Sequence, residues 1–261
     1  MEIKTLLKKE LLDGVRNYRF IIIFAAVFFF AILDPVLNKL VLPEVLRSQF
    51  PDMPEALMNE MLFTTQVANI RGFLGNVYQL SSLIIAFSIS GIMAQEISEK
   101  TLIFPVCTGK SFASIVAAKL FVYGSCVITA TTLGAMINYF YAGVLFEFGL
   151  PSAIPALRAG LLNGTYMIYM VAILIFMGAL ARKAIPAGLL TLLLYYGTRL
   201  IGDLFNIHNY LPSGLLIEAE LLAAAPSLSF IAGSLATTVA LIIILSSLTV
   251  VRLSSLELTR G

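Results

Sequence analysis

The residues able to do chemistry are few in this sequence, and most stand alone. A single histidine, His208, excludes mechanisms that need paired imidazoles, such as a zincin-type metal centre. Cys107 falls in a polar connection and Cys126 inside an apolar run, so the two form neither a disulfide framework nor a clustered ligand set and read as packing residues. Gly109-Lys110-Ser111 has the ending of a phosphate-binding loop, but that loop needs a second glycine five residues before the Gly-Lys step, and position 104 is Phe. The sequence therefore offers no ATP site, no metal site and no other cofactor site of its own. Arg199 and Asp203 stand four apart on one helical face, where they can pair with each other structurally or line a substrate path.

The densest constellation runs from Ala94 to Lys110. Gln95, Glu96 and Glu99 open it, Lys100 and Thr101 follow, and a short apolar piece, Leu102-Ile103-Phe104, leads to Pro105. Proline restricts the residue before it, so Pro105 is expected to end any helix there. Lys119 lies just inside the next apolar run, where its ammonium is expected to snorkel to the membrane surface. A helix in this segment offers a partner a knob that is part charged and part apolar.

The composition says what must position these residues. With 59% hydrophobic and 12% charged residues and a mean hydropathy of +0.94, the chain lies far from a soluble domain, in which about a quarter of residues are charged. At about 20 residues per membrane-spanning helix, 261 residues leave room for six spans with short connections and no separate catalytic domain. A net charge of +2 is too small to point to nucleic acid.

Apolar runs place the spans at about 20–42, 73–94, 114–145, 159–180, 185–201 and 230–251, giving an all-α membrane protein whose single transmembrane domain covers 20–252. The first run reads as an anchor and not a cleaved signal, because nineteen polar-rich residues precede it and no small-residue cleavage pattern follows. Within 1–19, Ile3, Leu6, Leu7, Leu11, Leu12 and Val15 share a broad helical face while Lys8, Lys9, Asp13 and Arg16 take much of the rest. That pattern predicts an amphipathic helix in the membrane interface, its cations toward lipid headgroups. Six spans put both termini on one side. That side collects 12 of the 17 Lys and Arg and the other side 5, so the positive-inside rule makes the termini, and the connection 95–113, cytoplasmic.

Polar residues interrupt the spans: Ser81, Ser82, Ser88 and Ser90; Thr129, Thr131, Thr132 and Asn138; Tyr195, Tyr196 and Thr198. They serve helix packing or line a path. On the outer side, 43–70 is long enough for a helix. The stretch 202–229, with Leu215, Leu216, Ile217, Leu221 and Leu222, is too apolar for a plain solvated loop; it reads as an outer amphipathic segment or, on the family resemblance given next, as short re-entrant helices.

In this layout the chain resembles the permease subunits of ABC-2 type transporters, the membrane-spanning halves of ATP-binding cassette exporters. The likeness is carried by an interfacial helix before six spans and by a first cytoplasmic connection with acids, a Thr-Leu step, a Pro-Val step and a Lys at the start of the third span: Glu96, Glu99, Thr101, Leu102, Pro105, Val106 and Lys119. The chain differs from the family in having Lys100 where Gly is common, and only three residues between Thr101 and Pro105. The resemblance implies that Gln95, Glu96, Glu99, Lys100, Thr101, Leu102, Phe104 and Pro105 form the coupling helix that docks in a cleft of a cytoplasmic ATPase subunit. It also implies pairing with a second permease copy or a related permease, no catalysis in this chain, and Mg-ATP bound and hydrolysed in the partner. The cargo suggested by apolar spans with scattered hydroxyls is a lipid, a drug-like molecule or a small peptide; ions are exported by other family members. Compact connections and no targeting segment point to a prokaryotic plasma or inner membrane.

Two other classes compete. An ion-gradient-driven carrier calls for broken helices in two repeated halves and acids near mid-membrane, whereas Asp34 and Asp203 fall toward span ends. An intramembrane enzyme calls for paired Asp residues, or Ser with His, inside the spans, and His208 falls in a connection.

Overall fold

A computed structural model describes residues 2–50, 65–222 and 228–255, and among these every regular element is helical. Helix α1 is Glu2–Arg16. Six longer helices, each long and apolar enough to cross a membrane, follow: α2 (Arg19–Gln49), α3 (Gln66–Ser98), α5 (Phe112–Phe146), α6 (Ile154–Ala181), α7 (Ala184–Phe205) and α9 (Leu228–Ser254). A short α4 (Ile103–Cys107) joins α3 to α5, and α8 (Gly214–Glu220) lies between α7 and α9. The protein is a multi-pass membrane protein. The predicted segment 43–70 is seen at both its ends, in α2 and α3, while 51–64 lies outside the described residues, as does 223–227 of the apolar stretch before α9.

The helices run further than apolar composition suggested, and in α3 the polar extension is satisfied inside the protein. α3 begins at Gln66, seven residues before the predicted start. Thr65 caps it by accepting from the Ala68 N–H at 3.2 Å. Gln66 is 1% exposed, and its amide clamps α5 and the loop after it, donating to the Tyr139 carbonyl at 2.9 Å and accepting from Gly149 N (2.8 Å) and Leu150 N (3.0 Å). α2 continues through Pro35. Proline lacks an N–H and so frees the carbonyl four residues back; that carbonyl, on Ala31, accepts from the buried Asn138 side chain at 3.0 Å. A π-helical turn, Leu37–Val41, follows Pro35, and α3 carries a second such turn at Val77–Ser81.

α6 is the central helix, with α3, α5, α7, α8 and α9 packed around it. It meets α5 backbone to backbone. A β-carbon at Gly160 would stand 2.8 Å from Thr132 Cα, and one at Gly164 would stand 2.8 Å from Ile128 Cα, so only glycine permits this approach. Thr131 Oγ1 then reaches the Gly160 carbonyl at 3.3 Å. On the other side of α6, Tyr166 stacks on Tyr195 of α7 (4.6 Å between ring centres), and Tyr78 and Tyr196 complete the cluster. Most of the span hydroxyls are spent on packing: Ser81 donates to the Ala26 carbonyl, Ser82 contacts Tyr196, and Thr132, Thr191 and Thr198 bond back into their own helices. The apolar residues before α9 fold inward, Leu215 and Leu216 of α8 being buried against the bundle.

Candidate functional site

The connection 95–113 opens at the same end of the bundle as α1, and four charged side chains tie the two together. Helix α1 lies along the start of α5. Its buried face is Leu6, Glu10 and Gly14, at intervals of four, whereas Ile3, Leu11, Leu12 and Val15 remain exposed. Glu10 is 1% exposed and accepts from Lys119 Nζ through both carboxylate oxygens at 2.9 Å. Lys119 also forms an ion pair with Glu96 Oε2 at 2.9 Å. Lys9 closes the set, bonding Glu96 Oε1 and standing 3.2 Å from Glu10. Two cations thus meet two carboxylates from three helices.

This arrangement corrects the expectation for Lys119. Its ammonium does not snorkel outward; at 1% side-chain exposure it is the centre of a buried cluster. The physical reason is that Glu10 and Glu96 bring two anions within contact, and a buried charge is retained where opposite charges pair with it. Burial would depress the Lys9 ammonium, but the carboxylates of Glu96 and Glu10 outweigh it and hold Lys9 above its ordinary value of 10.5. A neighbouring group reinforces the link: Arg19 pairs with Asp13 and donates to Tyr123 of α5 (3.2 Å) and to the Gln95 side chain (3.3 Å).

The segment beyond Glu96 is a helical knob with one kink. α3 ends at Ser98, Lys100 takes a left-handed backbone (φ 57°), and α4 starts at Ile103. The break therefore comes at Glu99–Lys100, five residues earlier than expected, and Pro105 sits inside α4. It is tolerated there because it occupies the first turn, where a backbone N–H has no intrahelical partner. Leu102 is fully buried and anchors the knob, Thr101 Oγ1 bonds the Glu96 carbonyl at 3.3 Å, and Phe104 stands 72% exposed at its tip with Glu99 and Lys100 beside it. Between the knob and α1 lies a cleft of about 690 Å³, lined on one wall by Lys9, Asp13 and Arg19 and on the other by Gln95, Thr101 and Phe104.

Of the sequence-derived residues, Gln95, Glu96, Glu99, Lys100, Thr101, Leu102, Phe104 and Pro105 all lie in this region, but in three roles. Glu96 and Leu102 pack against the protein, Gln95, Thr101 and Pro105 line the cleft, and Glu99 and Phe104, which also line it, are exposed together with Lys100. Sequence reading missed Glu10, whose inward orientation is signalled only by its four-residue spacing from Leu6 and Gly14. Arg199 and Asp203, at the opposite end, do not pair with each other. The Arg199 guanidinium lies over the Tyr78 ring (4.9 Å to its centre) and reaches Glu220 at 3.4 Å. Asp203 instead meets His208 Nε2 at 3.1 Å, with Ser213 Oγ at 3.1 Å from the other ring nitrogen. Four-residue spacing allowed the Arg199–Asp203 pair, but the aromatic face and the chain turning back after α7 supply each residue with another partner.

A scan against protein-family models and searches of curated proteins and of solved structures found no match to this chain.

Proposed function

We propose that this protein is the permease subunit of an ABC-2 type exporter, moving a lipid, drug-like molecule, peptide or ion with energy from ATP hydrolysed by a separate cytoplasmic subunit. One observation carries the reading: the knob after α3 has an exposed tip, Phe104 with Glu99 and Lys100, and a base fixed through Glu96 to Lys119 of α5 and Lys9 of α1. A lever needs both properties. The tip offers an apolar ring framed by charges to a partner's cleft, and a push on it passes through the ion cluster into α1, α3 and α5 together. In this reading the termini are cytoplasmic, α1 rests in the membrane interface with Ile3, Leu11 and Val15 toward lipid, and a second permease copy or a relative completes the pore.

The test is co-purification in mild detergent with the cassette ATPase encoded nearest the gene, followed by Mg-ATP hydrolysis by the complex. The expected result is a stable complex that F104A and E99A weaken while the permease remains folded. Failure to form a complex with any cassette ATPase overturns the reading and favours a gradient-driven carrier.

A further inference from the structure

Asp34 is a charged residue in the apolar first span, only 6% exposed, and the coupling cluster makes no use of it. Its surroundings are polar but carry no counterion. Asn76 of α3 donates to Oδ2 at 2.9 Å, and Asn38, one turn further along α2, donates to the Asp34 carbonyl at 2.8 Å and to Asn69 at 3.2 Å. Among the described residues no Lys, Arg or His pairs with the carboxylate, and Oδ1 accepts no hydrogen bond. The charged and titratable groups on the neighbouring stretches are otherwise engaged. Lys39 of α2 extends over the Phe146 ring, 5.3 Å from its centre, and Arg71 of α3 bonds the Glu220 carbonyl at 2.8 Å. Tyr78 of α3 lies under Arg199, and the Tyr139 hydroxyl of α5 reaches the Leu150 carbonyl.

The backbone here is also unusual. The π turn of α2 begins three residues after Asp34, and that of α3 begins at the residue after Asn76. Such turns are rare and concentrate at functional sites. On α5, Asn138 donates to Ala31, one turn before Asp34, and leaves its own buried Oδ1 without a partner.

We infer that Asp34 is an exchangeable proton-binding site at the junction of the first two spans. A carboxylate enclosed in this way, without a cation, is an ionisable group inside the membrane of the kind that marks proton relays and ion paths. The ligand is a proton and not a metal ion, because a metal cation requires several converging oxygens, and here the amides present N–H groups to Asp34. A proton requires one oxygen, and Oδ1 is available. Proton uptake removes the charge that the Asn76 amide holds, so protonation loosens the α2–α3 contact next to two turns that can change register. The site rests on the surroundings of Asp34 alone and stands or falls separately from the ATPase partner.

The test is infrared difference spectroscopy of the full chain in lipid nanodiscs, following the carbonyl stretch of protonated carboxyl groups from about pH 4 to pH 9, the range in which a perturbed carboxyl titrates. The expected result is a band that titrates reversibly in the native protein and is missing from D34N, which keeps the shape and the Asn76 contact. N76A, which removes a donor to the ionised form, should move the midpoint upward by about one pH unit, a tenfold gain in proton affinity. Identical spectra for native protein and D34N, or a band that does not respond to pH, overturn the proposal. A midpoint that shifts with sodium at constant ionic strength also overturns it, in favour of a metal cation. Should D34N fail to fold, the N76A titration decides: an unmoved midpoint rejects Asp34.

Discussion

Lys119 Nζ lies 2.9 Å from both carboxylate oxygens of Glu10, a residue 109 positions earlier, and each side chain is 1% exposed. Removing one partner of a buried pair leaves an uncompensated charge, at a cost of about 3–5 kcal/mol. K119A and E10A should each lower thermal stability strongly in detergent, whereas the double variant should recover part of the loss. Losses that simply add would show that the pair is not coupled.

The Lys9 ammonium is held above 10.5 by Glu96 and Glu10 against the opposing effect of burial. A group whose folded value is raised adds stability below its unfolded value and loses that contribution as pH rises through the folded one. Stability from this group should therefore be constant through neutral pH and fall only above about pH 10.5. Melting curves of K9M, taken from pH 8 upward, should show a smaller alkaline decline than the native protein.

Gly164 lets α6 reach the Ile128 backbone of α5, and any larger side chain there meets α5 main chain that cannot give way. G164L should destabilise by about 1–3 kcal/mol or more through overpacking. Gly197 has open space where its β-carbon would lie, so G197A should leave the melting temperature nearly unchanged or raised. Equal damage at the two positions would contradict the helix packing described for α5 and α6.

Leu102 and Phe104 are two apolar residues of one knob with opposite exposures, 0% and 72%. L102A removes a buried side chain and should cost about 2–5 kcal/mol. F104A should leave stability unchanged and, on the proposed function, reduce only capture of the ATPase subunit. Measuring both variants for melting temperature and for ATPase capture separates a structural residue from a docking residue.

At the other end, the structure predicts which residue Arg199 is coupled to. A double-mutant cycle with Tyr78 should give a coupling of about 1 kcal/mol, because the guanidinium stacks on a mostly buried ring. The same cycle with Asp203 should be additive within roughly 0.5 kcal/mol. A strong Arg199–Asp203 coupling would restore the four-residue pairing read from the sequence.

The amino-acid sequence by itself determined the membrane class and the six-helix layout, since these follow from the length and apolarity of runs such as 20–33 and 159–180, which leave water for apolar surroundings whether lipid or other helices cover them. It also located the segment 95–105, because acids, a Thr-Leu step and a proline between two spans are local features. The tertiary structure decided what the polar residues do. Glu10, Lys9, Glu96 and Lys119 come from three helices, and no spacing along one helix reveals that they meet. Asp34 and Asn76 face each other across 42 positions, and Asn138 serves the carbonyl that Pro35 leaves free. Apolar burial is nearly non-directional and can be read one segment at a time, whereas a hydrogen bond or an ion pair needs its partner within about 3 Å, and that partner is chosen only when the helices pack.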